Sequence, residues 1–150
     1  MVRRNRKFSM ADITSKPEVL RQAVASGKIQ LKPSTIIKIR NGRIAKGDPI
    51  AAAEVAAVLA AKNTSQTLPF CHPIPITNVL TEAEIDRSSI TVRSTVRTTA
   101  RTGVEMEALN AASTYLLTVW DMVKPYEKDA RGQYPDTRIR DLRVITKSKG

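Results

Sequence analysis

The residues of this chain that could do chemistry fall in four short stretches. "LPFCHPIP" (68–75) holds the single cysteine and the single histidine, Cys71 and His72, side by side between prolines. One Cys and one His fall short of a four-ligand zinc site, and adjacent positions are poor geometry for gripping one ion, so no metal is expected. A Cys–His nucleophilic pair normally meets across a fold and not along the chain. The prolines do supply stiffness, because they fix φ and push the residues before them toward extended backbone. Such a loop either aims His72 into a pocket or simply keeps it as a structural side chain.

In "RTGVEMEAL" (101–109), Arg101 and Glu105 stand four apart, followed by Met106 and then Glu107, the last charge before an apolar run. Thr102-x-x-Glu105 reads as a capping box, which offers Glu105 a structural role and Arg101 a helix-surface ion pair. "WDMVKP" (120–125) puts Asp121 and Lys124 three apart on one face of a helix's last turn. A lysine there ordinarily complements the helix dipole, but one desolvated beside a carboxylate can work as an acid/base pair near neutral pH. Lys46, in "AKGDP", precedes a helix start, where free N–H groups and positive charge favour anions. The spacing is not that of a P-loop and GxGxxG is absent, so phosphate binding has to come from scattered Lys and Arg.

Several elements must position these residues. "SKPEVLRQAVASG" (15–27) reads as a short helix from Ser15 to Gly27, with Arg21 on the stripe of Pro17 and Ala25. "KPSTIIKIRNG" (32–42) reads as a second. In "KGDPIAAAEVAAVLAAKN" Asp48 is the expected N-cap and Pro49 the first helical residue, and only Glu54 carries charge from Pro49 to Ala61. Two period-two runs follow. Folding them at Arg87–Ser88 sets Ile85 opposite Ile90, Ala83 opposite Val92 and Glu82 opposite Arg93, an antiparallel hairpin. A long helix follows the expected capping box, then a polar loop after Pro125, then a last strand in "RIRDLRVITK" (138–147). The order predicts one α+β domain over 11–150, with helices on one face of an antiparallel sheet, and a basic arm over 1–10. Two nearly charge-free helices exceed what one small sheet covers, which points to a homo-oligomer.

Net charge is +11, from 25 Lys+Arg against 14 Asp+Glu, so the partner is expected to be anionic. One cysteine allows no internal disulfide. The N-terminal "MVRRNRKFSM" lacks the apolar core of a signal peptide, and the apolar run Ala108–Trp120 is too short to cross a bilayer. A soluble cytoplasmic protein is expected. From these residues alone the reading stops at an α+β protein with a phosphorylated ligand.

In order along the chain, "KGDPIAAAEVAAVLAAKNTSQTLPFCHPIPIT", "RTGVEMEALNAAS" and "LTVWDMVK" resemble the cyclic pyranopterin monophosphate synthase family of molybdenum cofactor biosynthesis. The resemblance runs from about Ala11 to Lys147 and rests on the combination of motifs. It implies a ferredoxin-like subunit in a hexamer, a trimer of dimers, with active sites at subunit interfaces and no metal or organic cofactor. The implied substrate is a cyclised dihydro-GTP, rearranged to a pyranopterin with closure of a cyclic phosphate and release of pyrophosphate. Lys46, Asp121 and Lys124 would form the catalytic centre. His72, Cys71, Arg21, Arg101, Glu105, Met106, Glu107 and Lys147 would line the substrate pocket. Val123 stands where the family often has cysteine, the segment 126–141 is longer than usual, and the family's glycine-rich tail is here "KSKG". The competing reading is a small basic RNA- or DNA-binding module. It accounts for the charge but not for three carboxylates among the candidate residues, and the scarcity of aromatics weakens it further.

Overall fold

The computed structural model describes residues 8–150, so most of the expected basic arm, residues 1–7, lies outside the described residues. The two period-two runs form β2 (Ile76–Ile85) and β3 (Ser89–Ala100), paired in the expected register. Ile90, Val92, Ser94, Val96 and Thr98 alternate onto the buried face of β3. β1 (Val19–Gln30) pairs antiparallel with β3 on one side and with β4 (Arg138–Lys149) on the other. The four-stranded sheet has the order β2-β3-β1-β4. With α1 (Pro33–Arg40), α2 (Pro49–Lys62) and α3 (Thr64–Thr67) between β1 and β2, and α4 (Glu105–Glu127) between β3 and β4, this is the ferredoxin-like βαββαβ arrangement of an α+β fold. Among the described residues no helix is long and apolar enough to cross a membrane.

β1 corrects the helix expected over 15–27. Its alanines suggest a helix, but hydrogen-bond ladders on both edges and the burial of Ala23, Ala25 and Ile29 on one face outweigh that propensity. The small side chains are there because α4 crosses them closely. A Cβ on Gly27 would lie 2.8 Å from a methyl of Leu116, so this glycine is a packing residue in mid-strand and not a helix terminator.

α2 starts as its sequence indicates: Pro49 is its first residue, and Asp48 Oδ1 accepts the backbone N–H of Ile50 (2.9 Å) and Ala51 (3.2 Å). Its alanine stripe, Ala53, Ala57 and Ala61, is buried with Ala108, Ala111 and Ala112 of α4. Val55 (63% exposed) and Leu59 (54%) on α2, and Leu117 (55%) on α4, remain open in the single chain.

α4 departs from expectation at both ends. It begins at Glu105 with Val104 as its uncapped N-cap, so the Thr102–Glu105 capping box does not form and Arg101 precedes the helix. It also continues through Pro125 to Glu127. Glu127 is fully buried, and its carboxylate accepts the Lys32 N–H (3.1 and 3.2 Å) and the hydroxyls of Thr137 (2.7 Å) and Thr35. It thereby caps α1, whose own N-cap residue makes no side-chain bond, and ties both the helix and the approach to β4 to the end of α4. Removing it leaves two buried hydroxyls and the half-buried Lys32 N–H unpaired. Glu127→Ala is therefore expected to cost about 3 kcal/mol, roughly 10 °C in Tm, measured by thermal denaturation at fixed protein concentration. A Tm within a degree or two of wild type would contradict this clamp.

Candidate active site

One group of candidate residues gathers at the N-terminal end of α4. Lys147, largely exposed on β4 and paired with Ala23 of β1, places Nζ 3.1 Å from Glu105 Oε1. Arg21 of β1 donates from Nη2 to the Arg101 carbonyl at 3.4 Å, while the rest of Arg101 is exposed. Arg21, Gly103, Glu105 and Lys147 line a cleft of about 160 Å³. Gly103 and Glu105 also border a larger hollow of about 470 Å³, walled by Cys71, His72, Met106 and Glu107. Gly103 lines both hollows, and a side chain there would run into the Glu105 carboxylate.

The proline loop is held from the sheet by Thr98, whose hydroxyl donates to the Pro75 carbonyl (2.5 Å), and by the turn from Cys71 N–H to Leu68 carbonyl (3.0 Å). His72 Nε2 lies 2.7 Å from the Ala11 carbonyl. A carbonyl only accepts, so Nε2 carries the hydrogen and, in the neutral ring, Nδ1 is the acceptor. Cys71 Sγ sits 3.5 Å from Glu107 Oε2. Burial first, and then the Glu107 charge and hydrogen bond, push the thiol up to about 11, which rules against a nucleophilic thiolate at neutral pH.

The two glutamates are driven apart. Glu107 is 3% exposed, and burial raises its carboxyl above 4.5, with the neighbouring Glu105 adding repulsion. Burial also pushes Glu105 upward, but its own backbone N–H, the Lys147 bridge and the Arg21 charge outweigh it and hold that carboxyl below 4.5. The two carboxyls are thus displaced in opposite directions, Glu105 toward its anion and Glu107 toward its acid form.

The second group sits at the other end of α4. Asp121 Oδ1 is 3.1 Å from Lys124 Nζ, and Oδ2 is 3.4 Å from Lys46 Nζ. Lys46 reaches it from the loop between α1 and α2, where the Ala45 N–H donates to Tyr126 Oη (2.8 Å) and Gly47, at φ +119°, turns the chain into α2. Hydrogen bonds from Lys124 and then Lys46 hold the Asp121 carboxyl below the usual 3.8. These side chains remain roughly half-exposed, an ionic trio open to a ligand.

Within one chain the two groups do not meet. Glu105 opens α4 and Asp121 lies about four turns on, roughly 24 Å at 1.5 Å per residue. Arg21, Cys71, His72, Arg101, Glu105, Met106, Glu107 and Lys147 come together at one end, and Lys46, Asp121 and Lys124 at the other. Sequence reasoning missed Lys16, which lines the His72 hollow, and Asp12, whose carboxylate accepts the Thr14 N–H and hydroxyl beside it. Both precede β1; Lys16 fell inside the stretch read as a helix, with Pro17 beside it as the available signal, and Asp12 lies just before that stretch. Among the described residues no three His, Cys, Asp or Glu side chains cluster as metal ligands.

Residues 10–150 match the MoaC family. A probable cyclic pyranopterin monophosphate synthase of Sulfolobus acidocaldarius is 56% identical over 140 residues, covering 93% of this chain and 98% of the relative. Those of Aeropyrum pernix and Methanosarcina acetivorans are 55% and 53% identical over 141 residues, each across 94% of this chain and across 97% and 89% of their own lengths.

Two titrations check the electrostatics. Lys46→Ala removes a donor to the Asp121 carboxylate, so the carboxyl is expected to titrate closer to 3.8 than in the wild type, followed by its carboxyl-carbon NMR shift; an unchanged titration contradicts the contact. Glu107 has a folded value above its unfolded 4.5, so its ionisation weakens the fold at pH 7 and that penalty disappears as pH falls below 4.5. Glu107→Gln is therefore expected to raise Tm at pH 7 and to lose that advantage at pH 4, measured by thermal denaturation at the two pH values. A lower Tm at pH 7 would contradict the burial penalty.

Proposed function

The chain belongs to the MoaC family, and from that premise we propose that it is a cyclic pyranopterin monophosphate synthase of molybdenum cofactor biosynthesis, a lyase acting on a cyclised dihydro-GTP. Closing the cyclic phosphate forms a bond from a sugar-derived hydroxyl to the α-phosphorus and breaks the bond to the β-phosphate, releasing pyrophosphate. Rearranging the ring system also requires protons delivered and removed at successive atoms. The observation that carries this reading is the pairing of cations with carboxylates in both groups: Arg21 and Lys147 with Glu105, Lys46 and Lys124 with Asp121.

The division of labour follows from charge and burial. Arg21, Arg101 and Lys147 suit the triphosphate, with Arg offering a planar fork and Lys a point charge. Glu105 and Glu107 can accept from the ring N–H groups, and Cys71 and Met106 supply the apolar wall beside them. His72, with its Nε2 hydrogen held on the Ala11 carbonyl, presents Nδ1 to the substrate. Lys46 and Lys124 offer ammonium donors on either side of the Asp121 carboxylate, a set able to pass protons and to stabilise developing negative charge.

We read the working site as shared between two chains. A nucleoside triphosphate folded about its sugar is shorter than the separation between the two groups, so one end of α4 from each of two subunits has to converge on it. The exposed Val55, Leu59 and Leu117 favour such an assembly, as surface a second copy can bury. The hexamer, a trimer of dimers, and a cytoplasmic location, suited to a lone free thiol, belong to this proposal. The nucleic-acid reading is set aside because Glu105, Glu107 and Asp121 stand among the cations that would have to meet phosphates.

Supplied with the cyclised dihydro-GTP, the wild type is expected to yield one pyrophosphate per pterin product. Lys124→Ala is expected to lose turnover by about 10²–10⁴-fold with its oligomer intact. A fully active Lys124→Ala protein would overturn the site, and a well-folded wild type without product would overturn the reaction.

A further inference from the structure

Pro125 lies inside α4, four residues after Asp121. In a helix the N–H of each residue donates to the carbonyl four positions back, so the carbonyl that Pro125 should serve is that of Asp121. Proline has no N–H, and its ring pushes that carbonyl away from the helix axis. The freed oxygen belongs to the same residue whose carboxylate joins Lys46 and Lys124, and it does not go unused. Lys46 Nζ donates to the Asp121 carbonyl at 3.2 Å as well as to its carboxylate at 3.4 Å.

We propose that Pro125 is a positioning residue for Lys46. By withholding its own N–H it turns the Asp121 backbone into a second acceptor, and Asp121 grips the ammonium with two oxygens of different kinds. A carboxylate alone would let the flexible lysine stem swing; a carbonyl fixed to the helix removes that freedom. An ammonium has three donors, so the third remains for the substrate. The next two residues complete the device. Tyr126 Oη accepts the Ala45 N–H and so anchors the backbone beside Lys46, and buried Glu127 keeps the helix wound beyond the proline. This inference rests on the proposed role of Lys46 in the catalytic trio.

Pro125→Ala is the test. Alanine restores the N–H and is a better helix former, so a purely structural role predicts either no kinetic effect or a loss that tracks lowered stability. The positioning role predicts unchanged oligomeric state, a Tm equal to or above wild type, KM within about twofold and kcat reduced roughly threefold to tenfold. A crystal structure of Pro125→Ala should show the restored backbone N–H donating to the Asp121 carbonyl and Lys46 Nζ withdrawn from it. Wild-type kcat in Pro125→Ala, or Lys46 still seated on the carbonyl, would overturn the proposal. Lys46→Ala separates the two levels: if it is impaired and Pro125→Ala is not, only this inference fails, whereas a fully active Lys46→Ala protein removes the reading beneath it too.

Discussion

α4 can lie close to the sheet only because the residues beneath it are small. Gly27 of β1 leaves no room to spare under Leu116, Ala23 and Ala25 are buried on the same strand, and the alanines of α2 share that core with those of α4. Contacts this close leave little freedom to slide or tilt, since cores packed at this density resist even a methylene of change. The helix therefore acts as a rigid rod with functional groups at each end. Glu105 and Glu107 are fixed against Lys147 and the proline loop at one end, and Asp121 and Lys124 against Lys46 at the other.

The two ends differ in character. At the first, burial sets the tone: it drives the Cys71 thiol and the Glu107 carboxyl toward their protonated forms, while the Glu105 N–H, Lys147 and Arg21 outweigh burial and hold the Glu105 carboxyl below 4.5. At the second, the side chains are open and the charges themselves hold Asp121 ionised. The first group thus pairs buried Glu107 and half-buried Cys71 with exposed cations such as Lys147, and the second is an open ionic trio. The two groups stand at opposite ends of one helix.

Much of the frame was legible in the sequence because local rules sufficed. Alternation in 79–97 set the hairpin register, and Asp48–Pro49 announced α2. β1 was not legible: an Ala-rich stretch of this length fits a helix stripe as well as a buried strand, and only its two neighbouring strands decide between them. The Thr102–Glu105 spacing imitated a capping box, yet Glu105 turns instead to Lys147, far away in sequence. The motif resemblance picked out the candidate residues without their spatial grouping. That grouping depends on how far along one helix they stand, and on a β4 lysine placed by strand pairing.

The convergence of two chains on one site is tested most directly by mixing two crippled subunits. Lys124→Ala damages one end of α4 and His72→Ala leaves that end intact while damaging the other site half. If each site takes one half from each chain, mixed dimers regain one intact site in two, and a random mixture recovers about a quarter of wild-type turnover. Activity no greater than that of the separate variants, in a preparation shown by mass to contain mixed oligomers, would contradict the shared site.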